Sequence, residues 1–180
     1  MSELPGTLDW KPARDHTDLL AAPVAEALEA HPELSCWVAP IDPELADTAA
    51  FCEAYQVQPK ESANCVVVAG RRGEDTRMAA CMVLATDRAD VNKKIRKHLD
   101  VRKVSFADMD TATGSTGMEY GGITPVGVPE EWPILVDENV ADTRYVVIGS
   151  GVRGSKLAMA GEDLIRLPGA ELIDLAQDRA

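Results

Sequence analysis

A mixed α/β fold in one domain follows from two features of this sequence. Apolar residues fill 46% of its 180 positions but aromatics only 4%, so the core has to be assembled from Val, Leu, Ile and Ala rather than from stacked rings. Runs of β-branched residues also recur between stripes of apolar residues at helical spacing. The length suits a single domain, 1–180, with chain enough to bury a sizeable core.

Taken in order, residues 1 to about 14 mix Pro, Gly, charge and one Trp and read as an irregular arm. A helix capped by Thr17 or Asp18 is expected to run to His31, with Leu20, Val24, Ala27 and Leu28 on its core face and Pro23 in its first turns. Arm and helix occupy the region 1–46, in which Cys36-Trp37-Val38-Ala39 reads as a short strand ended by Pro40. Asp42-Pro43 starts a helix to about Tyr55, placing Leu45, Ala49 and Cys52 on one face. A polar turn over Val57–Ser62 leads into the β-branched run Asn64–Ala69, and Gly70–Asp75 connects it to a second strand within Arg77–Thr86.

Asp90 can cap a helix in which Val91, Ile95 and Leu99 recur every four residues, turning Lys93, Lys94, Arg96 and Lys97 outward. Val101–Phe106 is a brief strand and Ala107–Thr113 a short helix ended by Gly114. Ile134–Asp137, Tyr145–Ile148 and Leu157–Met159 are further strands. Gly161 opens a helix carrying Leu164, Ile165 and Leu167, which Pro168-Gly169 breaks, and a closing helix over Ala170–Gln177 buries Leu172, Ile173 and Leu175.

A net charge of −12 argues against a surface that binds nucleic acid over its whole extent, since phosphate recognition is driven by Lys and Arg. A local basic face is compatible with it, because six of the eighteen cations fall between Lys93 and Lys103. Cys36, Cys52, Cys65 and Cys81 form no C-x-x-C pair, and with His16, His31 and His98 they make no metal-ligand spacing, so neither a metal nor another cofactor is expected. There is no apolar leader in Met1–Pro12 and no run of eighteen apolar residues, which predicts a soluble, cytoplasmic protein.

Two glycine-rich loops offer sites for chemistry. Tyr120–Pro129 holds three glycines and two prolines, a stiff segment whose backbone amides can approach a small polar group. Gly149-Ser150-Gly151-Val152-Arg153-Gly154 imitates a dinucleotide fingerprint. It is followed by Leu157-Ala158-Met159 rather than by a long helix, so no helix N-terminus faces a pyrophosphate and a Rossmann reading is rejected.

Over roughly Asp47–Ala176 the sequence resembles the YbaK/EbsC family, the prolyl-tRNA synthetase-associated editing domains that deacylate substrates of the Cys-tRNA(Pro) and Ala-tRNA kind. The resemblance rests on an ordered series: Val57–Val68, Arg88–Lys94, Thr116–Gly127, Ile134–Glu138 and Gly149–Lys156 with the strand after it. It implies a mixed, barrel-like β-sheet with helices outside it. It also implies hydrolysis of a mischarged aminoacyl-tRNA by water, with little help from acid–base side chains. In this chain the family's G-x-x-x-P loop reads Gly121-Gly122-Ile123-Thr124-Pro125.

The resemblance assigns Gly121, Gly122 and Pro125 to the catalytic loop, with Asn64 orienting the ester or a phosphate. Ile123, Thr124, Gly127, Gly149, Ser150, Gly151 and Lys156 would line the substrate pocket, and Lys93, Lys94, Arg96 and Lys97 would meet the tRNA. One departure stands out: active relatives carry a lysine where this chain has Asn64, which can donate a hydrogen bond but brings no charge. Lys60 and Lys156 could supply a cation from elsewhere. Two readings follow. The first is a free-standing deacylase acting in trans on the acceptor end of a mischarged tRNA, with or without a synthetase as partner. The second is a lapsed relative that binds an aminoacyl or nucleotide-like ligand or a protein.

Overall fold

A computed structural model describes residues 3–178. In chain order its elements are β1 (Lys11–Pro12), α1 (Ala22–Ala30), β2 (Trp37–Pro40), α2 (Thr48–Tyr55), β3 (Ala63–Arg72) and β4 (Asp75–Leu84). A π-helical turn over Val91–Ile95 then leads into α3 (Arg96–Leu99), β5 (Lys103–Phe106) and α4 (Met109–Thr116). The chain continues through β6 (Ile134–Asp137), α5 (Glu138–Ala141), β7 (Val146–Gly149), β8 (Ser155–Met159), α6 (Gly161–Leu164) and β9 (Ala170–Ile173).

These strands make two sheets. One has the order β1-β2-β8-β7 and is antiparallel throughout; the other has the order β5-β3-β4-β6-β9 and turns parallel from β4 onward. A parallel bridge between Ser62 and Val147 joins them at the start of β3. The sheets wrap around a shared core, and among the described residues they do not close into a barrel.

The period of two along each strand sorts the core into layers. Met82 and Leu84 of β4 and Ile134 and Val136 of β6 meet Val38, Ile148, Leu157 and Met159 of the other sheet, with Val24 and Leu28 of α1 closing this inner layer. The alternate residues Cys81, Val83 and Leu135 face outward to Val91, Ile95 and Leu99. On the far side of the four-stranded sheet, Val147 packs against Phe51 and Cys52 of α2. Both sheets are therefore covered on both faces, which suits near-continuous apolar strands. Among the described residues no helix is long and apolar enough to cross a membrane.

Several expectations are corrected. The arm pairs with β2 through β1. The first helix begins at Ala22 because Pro23, which has no N–H, is tolerated only in the opening turn; Thr17–Leu19 forms a 3₁₀ turn before it. Asp42 does cap a turn, accepting from the Glu44 N–H at 3.0 Å, but that turn stops at Leu45. The chain restarts at Asp47 with a new helical phase that buries Phe51 and Cys52 and leaves Ala49 exposed. Gly114 lies inside α4, which ends at Gly117 instead.

The expected closing helix is a strand. Beyond Gly169 the chain is drawn onto the open edge of β6 in parallel register, Ile134 opposite Ala170 and Asp137 opposite Ile173, so Leu172 is exposed and Leu175 is buried. The buried Asp137 carboxylate fixes this exit, accepting from the Leu175 N–H at 3.0 Å and the Ala176 N–H at 3.2 Å while it caps α5 through the Asn139 N–H. Backbone groups at a sheet edge need partners, and that requirement outweighs the helical spacing of three apolar residues.

Candidate functional site

A cleft of about 290 Å³ opens where four segments converge: Ala63–Cys65 at the start of β3, Ala46–Thr48 entering α2, Tyr120, Gly121 and Ile123 of the first glycine loop, and Gly149 with Lys156 across β7 and β8. Segments distant in sequence meet here because the bridge at Ser62 and Val147 brings the start of β3 against the second sheet.

One wall is main chain. The Gly151 N–H donates to the Gly122 carbonyl at 2.7 Å, and the Glu119 N–H donates to the Gly151 carbonyl at 2.8 Å. Glu119 also accepts from the Arg153 N–H through its carboxylate at 2.8 Å. The two loops touch so closely that a Cβ on Gly149 would lie 2.5 Å from the Gly122 oxygen and 2.6 Å from the Ile123 oxygen. Gly121 sits at φ +88°, a conformation that side chains disfavour.

These contacts decide which amides are free. The Gly122 N–H donates to the Glu119 carbonyl at 2.9 Å, the buried Thr124 N–H faces the Met118 sulfur at 3.5 Å, and Pro125 has no donor. The Gly121 and Ile123 N–H groups have no acceptor among the described residues, and both residues border the cleft.

The other wall is built from side chains. The Thr48 hydroxyl donates to Asn64 Oδ1 at 2.7 Å, which fixes the amide plane and leaves its Nδ2 hydrogens for the cleft. Lys156 is only 9% exposed; its Nζ donates to the Ala46 carbonyl at 3.0 Å and lies 5.0 Å from the centre of the Phe51 ring. Burial pulls its pKa below the usual lysine range. At the rim, Arg153 reaches Asp47 at 3.7 Å, the Pro43 carbonyl at 3.1 Å and the Tyr120 carbonyl at 3.4 Å. Burial pushes the Cys65 thiol up to about 12, so it is no thiolate nucleophile near neutral pH. No histidine lines the cleft, and among the described residues no three His, Cys, Asp or Glu side chains are grouped to hold a metal.

The structure thus brings Asn64, Gly121, Ile123, Gly149 and Lys156 to one cleft. Gly122, Thr124 and Pro125 are buried in the loop behind it, Gly127 packs on Pro23, and Ser150 and Gly151 are buried in loop packing. The Ser150 hydroxyl meets that of Ser155 at 2.6 Å, a contact that shapes the loop rather than the cleft. Asp47, Thr48, Tyr120 and Arg153 were missed. For Asp47-Thr48 a cap signal existed in the sequence, masked by the stronger one at Asp42-Pro43; Arg153 gives none.

The basic residues lie elsewhere. Lys93, Arg96 and Lys97 are exposed. Lys94 is half-buried, its Nζ held by Asp174 at 3.1 Å, Asp178 at 2.9 Å and the Ala176 carbonyl at 2.7 Å, which clamps the segment after β9. A groove of about 540 Å³ lined by Arg71, Asn92, Arg96, Arg102 and Lys103 is the stronger cationic feature. Lys60 is exposed on the 3₁₀ turn before β3.

Residues 42–167 match the sequence profile of the family described as the aminoacyl-tRNA editing domain. An Enterococcus faecalis protein described as a candidate Cys-tRNA(Pro)/Cys-tRNA(Cys) deacylase, EbsC, is 23% identical over 83 residues; the match takes in 46% of this chain and 51% of that relative, about half its length. A solved structure described as a candidate trans-editing enzyme for prolyl tRNA synthetase superposes with a TM-score of 0.74 at 21% identity, over 88% of this chain and 97% of the other. The structure of a hypothetical protein gives a TM-score of 0.76 at 19% identity, over 86% and 99%. At these identities the two structures establish the fold.

Proposed function

The chain belongs to the family of aminoacyl-tRNA editing domains, and from that premise we propose that it is a free-standing deacylase acting in trans on the ester of a mischarged tRNA. The observation that carries this reading is the pair of unpaired amides, Gly121 and Ile123, on residues that line the same cleft as Asn64. An ester carbonyl placed between them gains charge on its oxygen as water adds to its carbon, and preorganised amides stabilise that charge without reorganising. The C–O bond to the terminal ribose then breaks, and the proton given up by water ends on the ribose oxygen. Because the cleft holds neither histidine nor a reactive thiol, the reading assigns the rate enhancement to positioning and electrostatics.

The rest of the tRNA would follow β3. Asn64 lies at one end of that strand and Arg71 at the other, about 23 Å apart at the usual rise per residue. With the acceptor end in the cleft, the groove of Arg71, Arg96, Arg102 and Lys103 would meet backbone phosphates, and the exposed Lys93 and Lys97 would add cations outside that groove. Deacylation of a panel of mischarged tRNAs tests the proposal; hydrolysis no faster than in buffer for every member would end it.

Asn64 favours a second reading. The residue brings no charge, and the one buried cation nearby, Lys156, already donates to Ala46, so the cleft suits a lapsed relative that binds without hydrolysing. Asn64→Lys separates the two. Activity gained from a silent wild type marks a lapsed enzyme, whereas activity already present in wild type and lost in Asn64→Ala marks a working asparagine.

A further inference from the structure

We propose that Tyr120 is the platform on which a nucleobase stacks at the mouth of the cleft, so that the site holds the terminal adenosine by its base as well as by its acyl ester. The inference rests on the editing reading and adds a ligand group and a residue to it.

The chain has three tyrosines, and two of them are engaged. Tyr55 packs on Phe51 at 5.4 Å between ring centres, and its hydroxyl accepts from the Asp42 N–H at 2.8 Å. Tyr145 meets Trp37 edge-on at 5.9 Å and lies under Arg144. Tyr120 is 56% exposed, and among the described residues its ring and hydroxyl have no partner. Phe106, the other widely exposed ring, lies on β5 outside the lining of the cleft; of the three tyrosines, the one left unengaged stands on the rim of the cleft.

The segment that presents it is fixed. Its carbonyl accepts from Arg153 at 3.4 Å, and the residues on either side, Glu119 and Gly121-Gly122, are tied to the second glycine loop. A ring on a pinned backbone offers its face at little entropic cost, and a ring with an apolar face and a polar tip suits a site that is half wet. The next residue supplies the free Gly121 amide, one Cα step of about 3.8 Å away. In an aminoacylated adenosine the base and the ester are likewise carried on one ribose, so adjacent residues can hold both. Stacking accepts any base, which makes Tyr120 a source of affinity and alignment rather than of base identity.

The test uses 3′-aminoacylamino-3′-deoxyadenosine, with alanyl and cysteinyl groups, and the matching ribose compounds that lack the base. In each, an amide replaces the labile ester. Binding is measured by calorimetry to wild type, Tyr120→Phe and Tyr120→Leu. The expected result is that Tyr120→Leu weakens the adenosine compounds roughly 5- to 100-fold, that Tyr120→Phe stays within about twofold of wild type because it keeps the ring, and that neither variant changes binding of the base-free compounds. Equal losses for compounds with and without the base, or no loss at all, would overturn the role of Tyr120 and leave the editing reading standing. Wild type that binds neither class of compound would remove the editing reading and this inference together. An exposed side chain at this position does not hold the fold, and unchanged melting temperatures confirm that the variants are comparable.

Discussion

The two walls of the cleft are built from different materials. The Gly121 and Gly149 side is main chain locked to main chain, with no room for a Cβ at Gly149. The Asn64 side is made of side chains from three separate segments, joined by single hydrogen bonds such as Thr48 to Asn64 and Lys156 to Ala46. A wall of amides can hold a carbonyl whatever acyl group is attached to it. A wall of side chains can change with one substitution, so in the proposed reaction it is the side on which substrate choice would be set.

The strongest challenge to this contrast is Gly149→Val. Its Cβ would overlap two carbonyl oxygens of the facing loop, and overpacking of this kind costs about 1–3 kcal/mol or more. We expect a lower melting temperature and loss of deacylation together; an active, equally stable variant would show that the loops need not touch. On the side-chain wall, Asn64→Ala should lower kcat/KM by roughly 10²- to 10³-fold if Asn64 donates to the reacting ester, with the melting temperature nearly unchanged. Activity kept in full would move the whole reaction onto the glycine wall.

A smaller effect is expected one residue further out. Thr48→Val removes the hydroxyl that fixes the Asn64 amide and should reduce kcat/KM about 3- to 10-fold, the worth of one neutral hydrogen bond, while Thr48→Ser restores it. Failure of the serine variant to rescue would assign the loss to packing.

The last effect is seen in stability against pH. Lys156 has a pKa depressed chiefly by burial, from an ordinary value of 10.5. Between that depressed value and 10.5 the unfolded chain binds more protons than the folded one, so wild-type stability should rise with pH across the window. Lys156→Met removes this contribution, and chemical denaturation at several pH values should show a flatter profile. The same slope in both proteins would mean that the lysine is as well solvated folded as unfolded.

Much of the fold was legible because local pattern and tertiary need agreed. Val91, Ile95 and Leu99 marked a core face that the structure buries, and the β-branched run after Asn64 became β3. Leu172, Ile173 and Leu175 misled because three apolar residues satisfy a helix or a strand, and the open edge of β6 decided between them. The glycine spacing marked the loops, but not which amides the Glu119 and Met118 contacts consume. Tyr120 and Thr48 carry no spacing signal, since what brings them to one cleft is the meeting of two sheets, and Arg153 joins them only through its contacts with Tyr120 and Asp47.

The pairing of β4 has a consequence for the order in which the protein assembles. On one side it meets β3 through a ten-residue ladder closed by a turn at Gly73-Glu74, and on the other it meets β6 in parallel, roughly fifty residues away along the chain. Closing the hairpin takes microseconds, whereas the parallel ladder must wait until the intervening loop is brought in. Pulse-labelled hydrogen exchange during refolding should therefore protect amides of β3 and β4 before those of β6, and Asn64 would be in its strand while the loop that faces it is still unformed.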